Sequence, residues 1–418
     1  MKKILLSLAA IAISLGASAQ YTNGYFIVNE GQYGNGSGPL NFYSAKTGEM
    51  QYDVYATANE GATFGMTPQF ATVADGKLFV CSKQNFGNGG RLVVADAKTL
   101  ATLTSQAEID GSADTRGIAV VPGADKFFVG TNMGVYAYDL TSFEKIGLVE
   151  GSSDPEAGTY SPGSGDMVVL NGMVYVASPD KIMVIDPATN AVSKTIEVPS
   201  LVSVFEMDGA LYGACNSCTW GTPSATDTEQ FVKISEVGEV EKTYTVPMAS
   251  TNFWFTPKPC QPVVIPGTHT IVYSPGEGTN YLCKYDFDTE TFTEKFITFD
   301  GRQQMYGHCV EVDPSTSQIL VATFQSYSST NYWFNIYSAD GEVVSSTKLN
   351  SRYWFPTKVL NAEKDDATAV ENLNTESAVT SVTYINMAGH SATTPFEGVN
   401  IVVTRHANGQ VTTSKVML

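Results

Sequence analysis

Three aromatic triplets, Phe253-Trp254-Phe255, Tyr332-Trp333-Phe334 and Tyr353-Trp354-Phe355, hold three of the chain's four tryptophans, and Trp220 is the fourth. Large rings with a polar edge carry contact energy at ligand and protein interfaces, so the chemistry they offer is stacking. Tyr33, Phe64, Phe86, Tyr160, Tyr306 and Tyr327 lie in similar polar, glycine-containing surroundings. Asn29, Gln32, Asn35, Gln84, Asn85, Gln303 and Gln304 supply neutral donors and acceptors, and Arg116 and Arg302 are the candidate cations. The expected site stacks a flat, largely neutral ligand on Phe253, Trp254, Tyr332, Trp333, Tyr353 and Trp354, with Arg302 and Gln303 at its polar edge. The alternative is that these rings serve packing.

Bond-breaking chemistry has thinner support. The chain has no Gly-x-Ser-x-Gly elbow, paired-histidine motif, P-loop or dinucleotide fingerprint. The glycine-rich stretches Gly34–Gly38 and Gly87–Gly90 each join two apolar, strand-like runs, whereas a phosphate loop runs into a helix N-terminus. His308 is the one histidine placed as a candidate ligand or base. Asp110, Asp114, Asp154, Glu156 and Asp166 offer carboxylates without a calcium-site spacing. Cys215 and Cys218 are the only close cysteine pair and the candidate disulfide; a zinc site would need a second pair or nearby histidines. Cys81, Cys283 and Cys309 sit in strand-like patterns and read as small hydrophobes. The expectation is a non-enzyme with no cofactor and no metal.

The elements that must hold these residues are read from residues 166–199. Four short runs rich in Val and Ile are broken at Asn171-Gly172, Ser178-Pro179-Asp180 and Asp186–Asn190. Asn-Gly between β-branched runs signals a hairpin, because both turn residues need positive φ. The stretch therefore predicts a four-stranded antiparallel meander, and the pattern recurs at 69–109, 116–149, 202–246, 261–299 and 308–349. Residues 24–55 form a seventh unit that lacks its first strand, for which Thr357–Asn361 is the candidate. Repeats of 40–50 residues built this way predict an all-β, seven-bladed β-propeller of four-stranded antiparallel blades, closed by its own C-terminal strand so that no sheet edge is left open.

In such a ring the first-to-second and third-to-fourth strand turns share one face, and here they are short: Asp75-Gly76, Asn171-Gly172, Asp208-Gly209. The long loops share the other face, among them Glu30–Gly38, Lys83–Gly90, Asn216–Thr228 and Gln325–Asn331, with crossovers such as Met248–Pro259 and Asp300–Gly307. One trimmed and one elaborated face is the pattern of a binding face on a rigid scaffold.

Lys2-Lys3, an apolar run from Ile4 to Leu15 and Ala17-Ser18-Ala19 mark residues 1–19 as a signal peptide. The expected boundaries are then 20–362 for the propeller, 363–377 for an acidic linker and 378–418 for a small β domain. A net charge of −18 argues against nucleic acid as partner. No further stretch is long and apolar enough to predict an integral membrane segment in the mature protein, which is expected to be exported to the periplasm, the outer-membrane surface or the medium.

Phe26-Ile27-Val28-Asn29-Glu30-Gly31, followed by glycine-rich sequence and Leu40-Asn41-Phe42-Tyr43, together with the strand and turn types above, resembles the exported YncE-like propellers of Bacteroidetes. Among these are the BtuG-type surface propellers, and that resemblance implies capture of cobalamin or a related corrinoid for a TonB-dependent outer-membrane transporter. Such capture proteins are typically lipoproteins, and this sequence has no cysteine beside its cleavage point. Tyr384–Gly389, Gly398–Val403 and Lys415-Val416 resemble the C-terminal sorting domains of type IX secretion. Two other classes stay open: a cell-surface scaffold for proteins or glycans, and a propeller hydrolase or lactonase.

Overall fold

The structure is a computed structural model that describes residues 21–83, 89–111, 114–153, 163–216, 218–219, 222–223, 229–250, 258–349, 355–363, 379–386, 390–406 and 411–417. The chain divides into two compact units, 1–365 and 366–418.

The first unit is a seven-bladed β-propeller. Blade 1 is assembled from both ends of the unit, in the order Pro356–Asn361, Gly24–Asn29, Leu40–Ser44, Glu49–Gln51. Blades 2 to 7 are simple antiparallel meanders whose innermost strands are Pro68–Ala74, Thr115–Val121, Met167–Leu170, Leu201–Met207, Val263–Val264 and Val310–Val312. The short turns form as their sequences require. Asn171 and Gly172 have φ of 51° and 76°, a conformation that Asn and Gly adopt at little cost.

Middle strands are buried on both sides because each blade is covered by its neighbours. Gly24–Asn29, Leu40–Ser44 and Ile319–Phe324 are buried along their whole length, whereas the outermost strands Thr102–Gln106 and Val343–Lys348 are largely exposed. The apolar core is accordingly a set of clusters between blades. Phe79, Leu92, Phe127 and Tyr138 join blades 2 and 3; Phe205, Phe231, Tyr273 and Phe287 join blades 5 and 6. Tyr25, Tyr43, Phe334 and Val359 join blade 7 to blade 1.

The closing strand pairs with its neighbour antiparallel, Tyr25 opposite Asn361 and Val28 opposite Lys358. The register breaks after Val28, so that Asn29 faces Pro356, a residue with no N–H to offer the ladder. Val359 and Leu360 are fully buried in the process.

Tyr332 and Trp333 open the strand Tyr332–Tyr337, directly after the loop that ends at Asn331. One expectation is corrected. Cys215 ends the strand Ala210–Cys215 with its side chain turned into the apolar cluster between blades 4 and 5, and it is a free thiol, so no Cys215–Cys218 disulfide forms. Burial pushes its pKa up to about 12.

The second unit is a four-stranded antiparallel sheet in the order Ser391–Ala392, Val379–Asn386, Val399–His406, Val411–Met417. The Asn400 side chain accepts from the Phe396 amide (2.9 Å) and donates to the Phe396 carbonyl (2.6 Å), fixing the entry to its central hairpin. The expected leader, residues 1–19, lies outside the described residues. Among the described residues no helix is long and apolar enough to cross a membrane.

Closure by Pro356–Asn361 predicts a sharp boundary for truncation. A chain ending at Glu363 should melt as the ring does in the full chain, and one ending at Leu349 should lose the cooperative transition. Within the full chain, Leu360→Ala should cost about 2–5 kcal/mol, measured by chemical denaturation.

Candidate functional site

The innermost strands begin, and the second strands end, on the elaborated face, so the residues at those positions ring the channel mouth. Glu30, Lys83, Asn132, Asn216 and Gln325 each follow the last residue of a second strand or its immediate neighbour. They are polar because this is where the apolar inter-blade layer stops.

Glu30 is the hub of one sector. Its carboxylate accepts from the Gln69 amide of blade 2 and from the Tyr306 hydroxyl of the crossover into blade 7, both at 2.6 Å. The Lys258 ammonium stands 3.7 Å from the Tyr306 ring centroid and pairs with Glu277 at 2.7 Å. Burial and the Glu30 carboxylate raise the Tyr306 pKa far above that of a free phenol, so its proton is fixed as a donor.

Beside this polar edge lies an aromatic shelf. Tyr306, Phe324, Tyr327 and Phe355 pack with ring centroids 5.0–6.1 Å apart. Three of these rings are buried, but Tyr327 is 61% exposed. Phe355 has φ of 49°, which is uncommon for a bulky residue and costs on the order of 1–3 kcal/mol. Its carbonyl accepts from the Glu30 amide at 2.9 Å, so the strained residue joins the shelf to the polar edge.

Across the mouth, Lys83 is buried at the end of the second strand of blade 2. Its pKa is pushed down to about 7, by burial first, then by the opposing influences of Asp114, Arg116, Glu30 and Lys258. Arg116 is fully buried 3.8 Å from Asp114; burial lowers its pKa to about 10 and raises that of Asp114. This sector therefore holds one fixed ion pair and one lysine that titrates near neutrality.

Directly before the innermost strand of blade 4, Asp166 accepts from Ser203 Oγ (2.8 Å) and the Cys260 amide (3.1 Å), tying blades 4, 5 and 6 together. His308 is buried beside Lys358, and both burial and that charge drive its pKa down to about 3. It is a buried, neutral imidazole at physiological pH, and its Nε2 has no hydrogen-bond partner among the described residues.

Of the residues singled out by sequence, the structure thus brings Tyr306 and Tyr327 together, with Arg116 at the opposite side of the mouth. Gln303 is spent internally: its Oε1 accepts from Thr323 (2.7 Å) and Asn335 (2.8 Å). Tyr332 is fully buried under Phe355, Trp333 projects from the other side of that strand, and Arg302 is exposed in a turn. Tyr33 is exposed on the short hairpin that follows Glu30. Phe64 stacks on Tyr55 (4.5 Å, 18°) at the floor of a separate cavity. Phe86, Tyr160, Trp220, Phe253, Trp254, Tyr353 and Trp354 lie outside the described residues, as do Asp154 and Glu156. Asp110 accepts from the Tyr136 hydroxyl. Among the described residues no three His, Cys, Asp or Glu side chains converge as metal ligands would.

Sequence reasoning named Phe355 only as the last member of an aromatic triplet, and Glu30, Lys83 and Lys258 only within loops, with no individual role for any of them. The signal for Glu30 and Lys83 was present: each is a charged residue directly after a buried second strand on the elaborated side.

A family model described as a domain of unknown function, DUF5074, matches residues 23–361. No curated protein matches the chain. Among solved structures, a quinonprotein alcohol dehydrogenase-like protein from Bacteroides thetaiotaomicron is similar at 18% identity, with 82% of this chain and 79% of that one covered and a TM-score of 0.63. A protein from Lactobacillus plantarum is similar at 11% identity, over 81% of this chain and 98% of its own, with a TM-score of 0.52. At these identities the likeness is one of fold.

The buried lysine carries a pH signature. Its folded pKa, about 7, lies below the unsubstituted value of 10.5, so between the two the unfolded chain binds the extra proton and stability rises with pH. The cost is fully present below pH 7 and fades toward pH 10.5. Lys83→Met removes it, while Glu30 and Asp114 keep their other partners. The variant's gain in Tm over the wild type should be largest near pH 6 and shrink toward about pH 10; a pH-independent difference would contradict the assignment.

Proposed function

The chain belongs to the DUF5074 family, and on that premise we propose that its propeller is a binding protein that holds a small, flat, largely neutral molecule on the shelf at the channel mouth. The observation that carries this reading is the exposed Tyr327 standing on Tyr306, Phe324 and Phe355 next to a hydrogen-bonded polar edge. A large exposed ring supported by a rigid cluster is a contact residue prepared in advance, with little entropy left to lose on binding. Glu30 accepts, Lys258 donates, and Lys83 donates without a permanently fixed charge. That combination suits amide or carbonyl substituents around a flat body better than an anion. Among the described residues, the mouth's tyrosine is held protonated, and the nearby imidazole is buried and neutral.

A corrinoid such as cobalamin is the ligand favoured within this class. It is broad and flat, it bears amide arms, and the opening motif of the chain resembles that of corrinoid-capturing propellers. In the same reading the chain is exported by its leader, its tail serves as a sorting domain, and the ligand is passed to a TonB-dependent outer-membrane transporter. These steps rest on the resemblance.

The test is a titration of the full chain with cobalamin and cobinamide, followed by Tyr327→Ala. Removing an exposed anchor should cost about 2 kcal/mol, roughly thirtyfold in affinity, with an unchanged Tm. Absence of binding by both corrinoids would remove them as ligands. Unchanged affinity of a bound corrinoid in Tyr327→Ala would remove the shelf as its site.

A further inference from the structure

The cavity that has Phe64 in its floor has a volume of about 470 Å³, within the roughly 300–1,000 Å³ of small-ligand sites. It lies between the hairpin Gly31–Ser37 and the crossover from blade 1 to blade 2, with Thr330 of blade 7 on its border. We propose that this cavity is a second binding site, separate from the shelf, for a neutral mono- or disaccharide.

The lining contains no lysine, arginine or histidine, and its one carboxylic acid is Asp53. With a chain net charge of −18, this excludes phosphate- and carboxylate-bearing ligands as the preferred class. The side-chain amides of Gln32 and Asn35 and the hydroxyl of Thr330 make no hydrogen bond among the described residues. Amides and hydroxyls both donate and accept, as the hydroxyls of a sugar do, so each can pair in either direction. Pro39, Leu40 and Phe64 add to the lining the apolar patches that the C–H faces of a sugar ring require.

The wall is fixed. Gly31 has φ of 78°, and a Cβ at Gly38 would fall 1.6 Å from the Asn29 carbonyl oxygen, so the hairpin is pressed against blade 1 where only glycine fits. Ser37 Oγ donates to the Gly65 carbonyl at 2.8 Å and ties the hairpin to the crossover. Gly36 is different. It also lines the cavity, its φ is not positive, and a Cβ there would meet nothing within 4 Å. A side chain at this position therefore enters open space without backbone strain.

That difference supplies the test. The full chain is titrated with glucose, N-acetylglucosamine and maltose, and with glucuronic acid as the charged control, by saturation-transfer NMR and calorimetry. At least one neutral sugar should bind with a Kd on the order of 1 mM, and glucuronic acid about tenfold more weakly. Gly36→Phe should abolish binding and keep the wild-type Tm. Should that variant melt early, Gln32→Ala with Asn35→Ala, both exposed positions, decides by the same loss of binding. Failure of all three neutral sugars to bind, equal binding of glucuronic acid, or binding that survives both variants would overturn the proposal. Tyr327→Ala should leave sugar binding unchanged, so the outcome is independent of the shelf.

Discussion

Everything on the elaborated face depends on one antiparallel pairing, that of Pro356–Asn361 with Gly24–Asn29. It joins the two ends of the propeller unit in one sheet and so turns seven meanders into a ring without a free edge. It also sets two residues of the candidate site side by side. Phe355 precedes the closing strand and Glu30 follows its partner, and the backbone bond between them closes the ladder. A shift of register by one residue would exchange the sides on which Val359 and Leu360 pack, toward blade 7 and toward blade 2, and separate the shelf from its polar edge.

The mouth shows why a rigid ring is useful for recognition. Buried charges are costly unless partnered, and here Arg116 has Asp114, while Glu30 has Gln69 and Tyr306. Asp114 is a local partner, two residues from Arg116, whereas those of Glu30 come from blade 2 and from the crossover into blade 7, so its carboxylate is held by elements far apart in sequence. The strained Phe355 persists for the same reason: its neighbours on both sides are determined by sheets that cannot move independently.

Much of this fold was legible in the sequence. Asn-Gly and Asp-Gly pairs at a regular spacing mark the short turns, and the missing first strand of the opening unit points to Thr357–Asn361. The site was less legible, for identifiable reasons. An aromatic triplet such as Tyr332-Trp333-Phe334 serves a strand as well as a loop, since aromatic residues favour both sheets and interfaces. Gln303 looks like a free amide until its partners Thr323 and Asn335 are brought to it by the ring. Cys215 and Cys218 look paired by spacing, yet strand alternation in Ala210–Cys215 puts the first of them with Leu211 in the apolar layer. Burial is a property of the closed ring, which is why the lowered pKa of Lys83 had no counterpart in the sequence.

The dependence of the site on closure is most directly tested by hydrogen exchange of the backbone amides in Pro356–Asn361, compared with those of the central strands of blade 4. The pairing described here predicts that both sets exchange through the same cooperative opening, with closely similar protection. Protection of the closing strand lower by orders of magnitude would contradict it, because the ring would then be open in the native state and Phe355 and Glu30 would not be held together.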